Sequence, residues 1–145
     1  MTPKERAERA ASAMWADDKA SRWFGMELVE VDEARAVTRL KVEPHHTNGH
    51  GICHGGVIFS LADSAFAFAC NSRNQSTVAQ SNAISFLSPG RQGDELTATA
   101  REVHLRGRSG LYDVRVTNQD DEVIAEMRGQ SRAISGQLFE EDQDQ

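Results

Sequence analysis

The chain has 145 residues, of which 39% are hydrophobic and 26% charged, and a formal net charge of −6 at neutral pH. This length and composition predict one globular domain rather than a disordered chain. The acidic balance argues against a nucleic-acid partner, because nucleic-acid binding needs a basic surface that displaces counterions. No apolar run approaches the roughly 20 residues that a membrane-spanning helix requires, so no membrane partner is expected.

The N-terminus and the cysteines indicate a compartment. The first residues, MTPKERAERAAS, are charged and rich in alanine, without the apolar core of a secretory signal. Two cysteines, Cys53 and Cys70, are too few for a disulfide scaffold and are typical of reduced thiols. We therefore expect a cytoplasmic protein with a single domain over 1–139 and a disordered acidic tail at 140–145.

The predicted elements begin with an amphipathic helix that is capped by Thr2, has Pro3 in its first turn and ends before Gly25. Six segments with the composition of strands follow it. They span residues 28–31, 35–42, 78–87, 95–105, 110–117 and 123–134. The connections at 106–108 and 118–121 are short enough for antiparallel hairpins.

A second predicted helix, Val57 to Cys70, is apolar on almost every side. Its polar exceptions Ser60, Asp63 and Ser64 share one face. Such a helix is expected inside the curve of an antiparallel sheet. Burying a carboxylate costs on the order of several kcal/mol unless it has a partner. Asp63 is therefore a candidate functional group, and the alternative is a structural carboxylate bonded to nearby backbone.

The loop before this helix concentrates histidine and glycine in the sequence HHTNGHGICHGG at 45–56. Gly55 and Gly56 come at the helix start, where N–H groups lack intrahelical partners and the helix dipole adds partial positive charge. Such N–H groups can hold an oxyanion or a polarised carbonyl. Asp63 lies seven residues beyond Gly56, about 10 Å along the helix axis, so a substrate would have to lie alongside the helix to reach both.

Three other interpretations of the loop stay open. His46, His50 and either Cys53 or His54 resemble a zinc site, although the spacing matches no specific signature. Cys53 beside His54 suggests a nucleophilic thiol, but adjacent residues in an extended chain point to opposite sides. The loop could also be a plain glycine-rich turn with solvated histidines.

The chain resembles the acyl-CoA thioesterases of the hot-dog fold, in particular the PaaI type of phenylacetic acid degradation. The resemblance is carried by NGHGICHGG at 48–56, FSLAD at 59–63, AFAFACNS at 65–72, FLSPG at 86–90 with Gly93-Asp94, GLYD at 110–113 and Arg128-Gly129. It implies an α+β fold in which a curved antiparallel sheet of five to six strands wraps a long central helix, with an additional N-terminal helix. It also implies dimers that join their sheets, with active sites at the interface, and a tetramer formed as a dimer of dimers.

The resemblance assigns five catalytic residues: Asp63 as the carboxylate, Gly56 and Gly55 as N–H donors to the thioester oxygen, His54 beside that carbonyl, and Asn48 as the group that orients water or substrate across the dimer. Some relatives hold the water with a hydroxyl four residues after the acid. This chain has Ala67 there, and Ser64 is the candidate substitute.

The implied reaction is hydrolysis of phenylacetyl-CoA, or of hydroxylated or ring-modified arylacetyl-CoA, to the free acid and CoA. Asp63 would act as a general base or as a nucleophile. Neither a metal nor a cofactor is expected, because CoA is part of the substrate. The residues expected to bind the CoA phosphates lie on one tight turn: Arg106, Arg108 and Ser109. The alternative is that this turn is only a solvated hairpin tip. The candidate acyl-pocket walls, which would equally suit a hydrophobic core, are Phe59, Phe66, Phe68 and Trp23.

Two further functions stay open at this stage. A hot-dog protein can bind acyl-CoA without hydrolysis, and a hydratase of the same fold would use an Asp/His pair, for which His54 is available. The polar stripe around Asp63 argues against a passive binding module. The glycine pair Gly55-Gly56 at the helix start favours hydrolysis over hydration.

Overall fold

The structure, a computed structural model that describes residues 1–141, contains three helices and six strands. Their bounds are α1 Pro3–Asp17, α2 Lys19–Phe24, β1 Glu27–Asp32, β2 Arg35–Lys41, α3 Gly55–Cys70, β3 Thr77–Phe86, β4 Glu95–Arg106, β5 Ser109–Thr117 and β6 Val123–Ala133. A short 3-10 helix at Pro44–His46 precedes the glycine-rich loop. The central helix and all six predicted strands are confirmed to within two residues at each end.

The N-terminal region contains two helices where the sequence predicts one. Thr2 caps α1 as expected, by accepting a hydrogen bond of 3.1 Å from the Glu5 N–H. The chain turns at Asp18, whose carboxylate accepts bonds from the N–H (2.9 Å) and the hydroxyl (2.7 Å) of Ser21 and so caps α2. α2 ends at Gly25, where φ is 83°, a left-handed conformation that glycine adopts without a steric clash.

The six strands form one antiparallel sheet in the order β1-β2-β4-β5-β6-β3, so β1 and β3 are its edges. Four of the five strand pairs contain a shift in register: β1 with β2, β3 with β6, β4 with β5, and β5 with β6. Such irregularities bend a strand and increase its local twist. The sheet therefore curves around α3, as the predicted hot-dog fold requires.

α3 lies inside this curve and contacts β2, β4 and β5. Leu61 and Phe66 are completely buried, and burying a side chain of this size contributes roughly 1.5–3 kcal/mol. The Thr38 hydroxyl on β2 donates to the Leu61 carbonyl at 3.0 Å, which satisfies the polar atom of a fully buried residue. The facing strands carry small buried residues that allow the helix to approach: Ala36, Ala98 and Ala100.

The C-terminal segment returns to the N-terminal helix. Glu141 accepts hydrogen bonds from Arg6 at 2.8 Å and from Asn74 at 3.2 Å. Of the acidic tail expected at 140–145, residues 142–145 lie outside the described residues. Within residues 1–141, no helix combines the length and the apolar composition that crossing a membrane would need.

Candidate active site

The start of α3 offers one backbone N–H group to a ligand. His54 is the N-cap, and its Nδ1 accepts a hydrogen bond of 2.8 Å from the Gly56 N–H. The Gly56 N–H, expected from the sequence to bind the thioester oxygen, is therefore already engaged. The Gly55 N–H has no hydrogen-bond partner among residues 1–141. Of the two donors that the sequence suggests, the structure leaves the Gly55 N–H free.

His46 is a structural residue of this loop. It is 3% exposed, its Nδ1 accepts from the Glu43 N–H at 2.9 Å, and its Nε2 lies 2.8 Å from the Phe24 carbonyl. Because Nδ1 accepts a bond, the ring proton lies on Nε2 and is donated to Phe24. The His46 carbonyl in turn accepts from the His54 N–H at 2.8 Å. Both ring nitrogens are occupied, so His46 does not serve as the zinc ligand considered above.

Asn48 shapes the loop with one end of its amide. Its Oδ1 accepts hydrogen bonds from the N–H groups of His50 (2.9 Å) and Ile52 (3.4 Å), which closes a tight turn. Its Nδ2 makes no hydrogen bond within the part of the chain that the structure describes, and the residue lines the pocket described below. The amide nitrogen is therefore available to a ligand.

Cys53 is a buried, protonated thiol at neutral pH. Burial, and to a smaller degree the nearby Asp94, raise the pKa of Cys53 to about 11. A thiolate is the nucleophilic form of cysteine. The nucleophilic interpretation of the Cys53-His54 pair is therefore not favoured.

Asp63 is half-buried on α3 and faces β3. Its Oδ1 accepts a hydrogen bond of 3.2 Å from Asn82 Nδ2. Burial raises the pKa of the Asp63 carboxyl above its ordinary range, and the bond from Asn82 opposes that rise. A raised pKa makes a carboxylate a better base near neutral pH. The sequence identified Asp63 but gave no indication of Asn82, which lies 19 residues away on an edge strand.

The serines of the polar stripe have partners within the chain. The Ser60 hydroxyl donates to the Gly56 carbonyl at 2.8 Å, and Ser64 Oγ lies 2.8 Å from Ser21 Oγ on α2. Ser64 thus joins α3 to α2, whereas Asp63 faces β3. Ala67, about one turn further along this partly buried face of α3, has no polar group in its side chain.

An apolar pocket of about 540 Å³ opens beside the helix start. Its lining residues are Asn48, Ile52, Cys53, Gly55, Ile58 and 86–90. Phe86 and Leu87 are 53% and 58% exposed, large fractions for apolar side chains. A Cβ on Gly55 would lie 3.1 Å from the Phe86 ring, so glycine permits the close approach of helix and strand. Phe86 and Leu87 are not among the site residues that the sequence predicts.

The candidate acyl-pocket walls lie in different surroundings. Phe66 and Phe68 are fully buried, and Phe66 packs edge-on against Tyr112 with ring centroids 5.4 Å apart. These two rings therefore belong to the core, as the alternative interpretation held. Phe59 is half-buried at the edge of the core. Trp23 is 77% exposed on α2.

The hairpin of Arg106, Arg108 and Ser109 is remote from this pocket within one chain. All three side chains are exposed, at the end of β4 opposite to Glu95. The 12 residues of β4 correspond to roughly 35 Å of strand. One chain therefore brings together Asn48, His54, Gly55 and Gly56, places Asp63 two helical turns away, and leaves the arginines apart.

Comparisons with known proteins agree with this architecture. The Thioesterase superfamily domain matches residues 50–125. Acyl-coenzyme A thioesterase PaaI of Escherichia coli K12 is 42% identical over 92% of this chain and 95% of its own length. The structure of the E. coli PaaI protein from the phenylacetic acid degradation operon superposes with a TM-score of 0.92, at 41% identity over 94% of this chain and 99% of that chain. The protein smu.793 from Streptococcus mutans UA159, solved with acetyl-CoA bound, has a TM-score of 0.74 at 26% identity over 77% of this chain and 90% of that chain.

The chain therefore belongs to the thioesterase superfamily. This membership confirms the predicted fold and the predicted enzyme class, a thioester hydrolase.

Proposed function

We propose that this protein hydrolyses acyl-CoA thioesters, with phenylacetyl and hydroxylated or ring-modified arylacetyl groups as the preferred acyl part. The observation that carries the proposal is the Gly55 N–H, unpartnered within residues 1–141, at the start of α3 and beside an apolar pocket. The likeness to E. coli PaaI over nearly the whole of both chains supports the same class of substrate. The reaction needs no cofactor or metal of its own.

The proposed chemistry starts with the thioester oxygen on the Gly55 N–H. One such donor, aimed at the charge that develops in the transition state, contributes on the order of 3 kcal/mol to catalysis. His54 holds the neighbouring Gly56 N–H in place, and the free Asn48 amide nitrogen orients water or substrate. Asp63 then acts either as a base toward water, whose attack expels the CoA thiolate, or as a nucleophile. In the second case its carboxylate displaces the CoA thiolate to form a mixed anhydride, which water opens to the free acid and the regenerated carboxylate.

The active site requires a second copy of the chain. Gly55 and Asp63 are eight residues apart on one helix, about 12 Å along its axis, whereas the attacked carbon and its oxygen are bonded atoms. β3 is an edge strand with exposed apolar side chains, including Val78 (46%) and Phe86 (53%). We propose that β3 pairs antiparallel with the β3 of a second copy. The two α3 helices then lie side by side in opposite directions, and the helix start of one faces the Asp63 of the other.

The same pairing accounts for the remote arginine hairpin. Arg106, Ser109, Arg132 and Val78 occupy neighbouring register positions across β4, β5, β6 and β3. With a two-fold axis near the middle of β3, the second copy's Phe86 lies beside Val78. At about 4.8 Å per strand, Arg132 and Arg106 are then roughly 10 Å and 19 Å from that pocket. These separations suit the extended arm and the phosphates of CoA.

A thiol-release assay with purified protein tests the proposed function. We expect CoA release from phenylacetyl-CoA and 4-hydroxyphenylacetyl-CoA, and slower release from acetyl-CoA. The same protein is incubated with crotonyl-CoA, and the product is analysed for water addition. Absence of thiol release from every thioester would reject the hydrolase. Hydration of crotonyl-CoA would favour the hydratase, and tight binding without turnover would favour a binding module.

The role of the hairpin is tested with a substrate that lacks phosphates. We expect the double variant Arg106→Ala, Arg108→Ala to raise KM for phenylacetyl-CoA by about tenfold and to weaken the salt dependence of KM, because two phosphate contacts are lost. Hydrolysis of S-phenylacetyl-N-acetylcysteamine should not change. Arg101→Ala, an exposed arginine on the same strand, is the control. Equal effects on both substrates would contradict phosphate binding by the hairpin.

A further inference from the structure

Asn82 on β3 contacts Asp63 and is not part of the site that the sequence predicts. Its Nδ2 donates to Asp63 Oδ1 at 3.2 Å. A carboxylate only accepts hydrogen bonds, so the amide must turn its NH2 group toward Asp63. The contact therefore has one orientation.

The opposite end of the same amide has no partner. Asn82 Oδ1 is buried and makes no hydrogen bond to any group in residues 1–141. A buried carbonyl oxygen without a partner destabilises a fold, and an apolar side chain of similar size would avoid that loss. Within one chain, asparagine at this position is therefore unfavourable for stability. What it supplies is the NH2 group beside Asp63.

Gly129 on β6 makes room for this arrangement. It is the register partner of Asn82 in the sheet. A Cβ at Gly129 would lie 2.6 Å from Asn82 Oδ1, closer than real Cβ contacts allow, and a tight 3.0 Å from the Phe66 ring. The amide occupies the space that a side chain at 129 would fill. Asn82 and Gly129 thus form one structural unit directed at Asp63.

We propose that Asn82 is a positioning residue for Asp63, an inference that rests on the proposed hydrolase function. By binding Oδ1 it fixes the carboxylate and leaves Oδ2 for the attacking water or the acyl carbon. Ala67, one turn after Asp63, carries no hydroxyl that could share this role. The orientation of Asp63 therefore depends on β3 rather than on its own helix.

Few groups within residues 1–141 of one chain face Asp63. The second copy's helix start, which the proposed dimer also brings to Asp63, is the same in the wild type and in the variants below, so a difference in titration between them reports on the contact with Asn82. β3 and β6 present the uncharged Asn82 and Gly129. On α3, the Cys70 thiol has a pKa raised to about 12 by burial and by Asp63 itself, so it stays neutral. On the α2 side, Asp18 is separated from α3 by the hydroxyls of Ser21 and Ser64. Burial thus raises the pKa of Asp63, and the bond from Asn82 lowers it.

The first test is Asn82→Leu, which removes the NH2 group and the unpartnered oxygen together. We expect kcat to fall by about ten- to a hundredfold, because a misplaced catalytic group reduces rate by such factors. KM should stay within about twofold and Tm should not decrease. The acid limb of the kcat/KM profile should move to higher pH, because the bond that lowers the pKa of Asp63 is lost. A residue that only supports the fold would lower Tm and kcat together.

The second test leaves Asn82 in place and displaces it. Gly129→Ala puts a Cβ against the amide, and we expect the same fall in kcat and the same shift of the acid limb. Gly110→Ala is a matched control, because its Cβ would meet Ser131 Oγ at 2.6 Å and the Tyr112 ring at 2.8 Å, and neither residue bonds to Asp63 or Asn82 within residues 1–141. Measured at a temperature where both variants are folded, Gly110→Ala should retain kcat and the wild-type pH profile.

The outcomes separate this inference from the proposed function. A wild-type protein that releases CoA, with Asn82→Leu unchanged in kcat and pH profile, would overturn the role of Asn82 alone. Loss of both Tm and kcat in Asn82→Leu with an unmoved acid limb would do the same, since it indicates a structural role. A wild-type protein that releases no CoA from any thioester would overturn the proposed function and this inference together.

Discussion

Asp63 is a carboxylate that the fold half-buries, and no cationic side chain pairs with it among residues 1–141. It accepts one bond from a neutral amide, and burial is the larger influence on its pKa. By contrast, Asp113 on β5 is paired with Arg128 at 2.7 Å, and that pairing lowers the pKa of Asp113. The two aspartates differ because one lies in the curve of the sheet and the other on its outer face.

This difference predicts that replacing each aspartate by asparagine changes Tm in opposite directions, and that only the replacement of Asp63 lowers kcat. Because its pKa is raised in the folded protein, Asp63 contributes to stability at pH values below the ordinary pKa range of aspartate. This contribution is lost as the pH rises through the folded-state pKa. Asp63→Asn should therefore raise Tm at pH 7, with a gain that shrinks toward pH 4, while kcat falls by about 10²- to 10⁴-fold. Thermal unfolding across pH and CoA release are the measurements.

Asp113→Asn is the matched control with the opposite sign. The lowered pKa of Asp113 stabilises the fold above the ordinary aspartate range, and this contribution is lost as pH falls through the folded-state pKa. At pH 7 the substitution should lower Tm slightly, since Arg128 is exposed and Asp113 is only partly buried, and should leave kcat unchanged. A Tm for Asp63→Asn below that of the wild type at pH 7 would contradict the raised pKa of Asp63.

Among the elements, α2 connects the N-terminal region to the catalytic helix. Asp18 caps α2 through Ser21, and Ser21 in turn contacts Ser64 on α3. At the other end of α2, the Phe24 carbonyl binds His46, whose own carbonyl holds the N–H of the N-cap His54. The short helix thus contacts the site at two points, although it contributes no reacting group.

The Asp18 cap gives a stability prediction for this element. Asp18→Ala removes both bonds to Ser21 and should lower the free energy of unfolding by about 1 kcal/mol, the usual effect of losing an N-cap. Urea unfolding followed by circular dichroism measures the change. Asp17→Ala is the control, because Asp17 is exposed at the C-terminal end of α1 and caps neither helix. Equal losses in both variants would contradict a capping role for Asp18.

At the scale of the whole molecule, the sheet has two edges and the proposed dimer uses one. β3 presents exposed apolar side chains next to the pocket, and β1 lies at the other end of the strand order. An unpaired apolar edge is a template for pairing with another chain. Association through β3 would cover the exposed face of α3 and bring Asp63 of one copy to the helix start of the other.

Introducing one charged residue on each edge strand tests which edge forms the dimer. Val78→Asp places a carboxylate where β3 would meet the second copy's Phe86, and burying that charge should dissociate the dimer and abolish CoA release. Val29→Asp on β1 changes a valine of nearly equal exposure, 45% against 46%, and should keep both the assembly and the activity. Light scattering after size exclusion measures the mass. Dissociation by Val29→Asp alone would contradict pairing through β3.

The order and type of the elements follow from the sequence, because the apolar repeats, caps and turns are local properties of the chain. The sequence also identified Asp63 as the exceptional carboxylate of an otherwise apolar helix, and Gly55 and Gly56 as its start. It did not indicate the break at Asp18, since a helical repeat continues across a residue that fits either a helix or a cap.

Which groups contact one another depends on how the elements pack. Asn82 reaches Asp63 only because β3 pairs with β6 opposite Gly129, and Phe86 reaches Gly55 only because that strand ends beside the helix start. The tertiary structure likewise decided that His54 occupies the Gly56 N–H and leaves the Gly55 N–H free among residues 1–141. Some of these contacts join residues that are remote in the chain, and the others depend on one side-chain rotamer. Local sequence patterns predict neither kind of contact, because they depend on which residues are near in the chain and not on which are near in space.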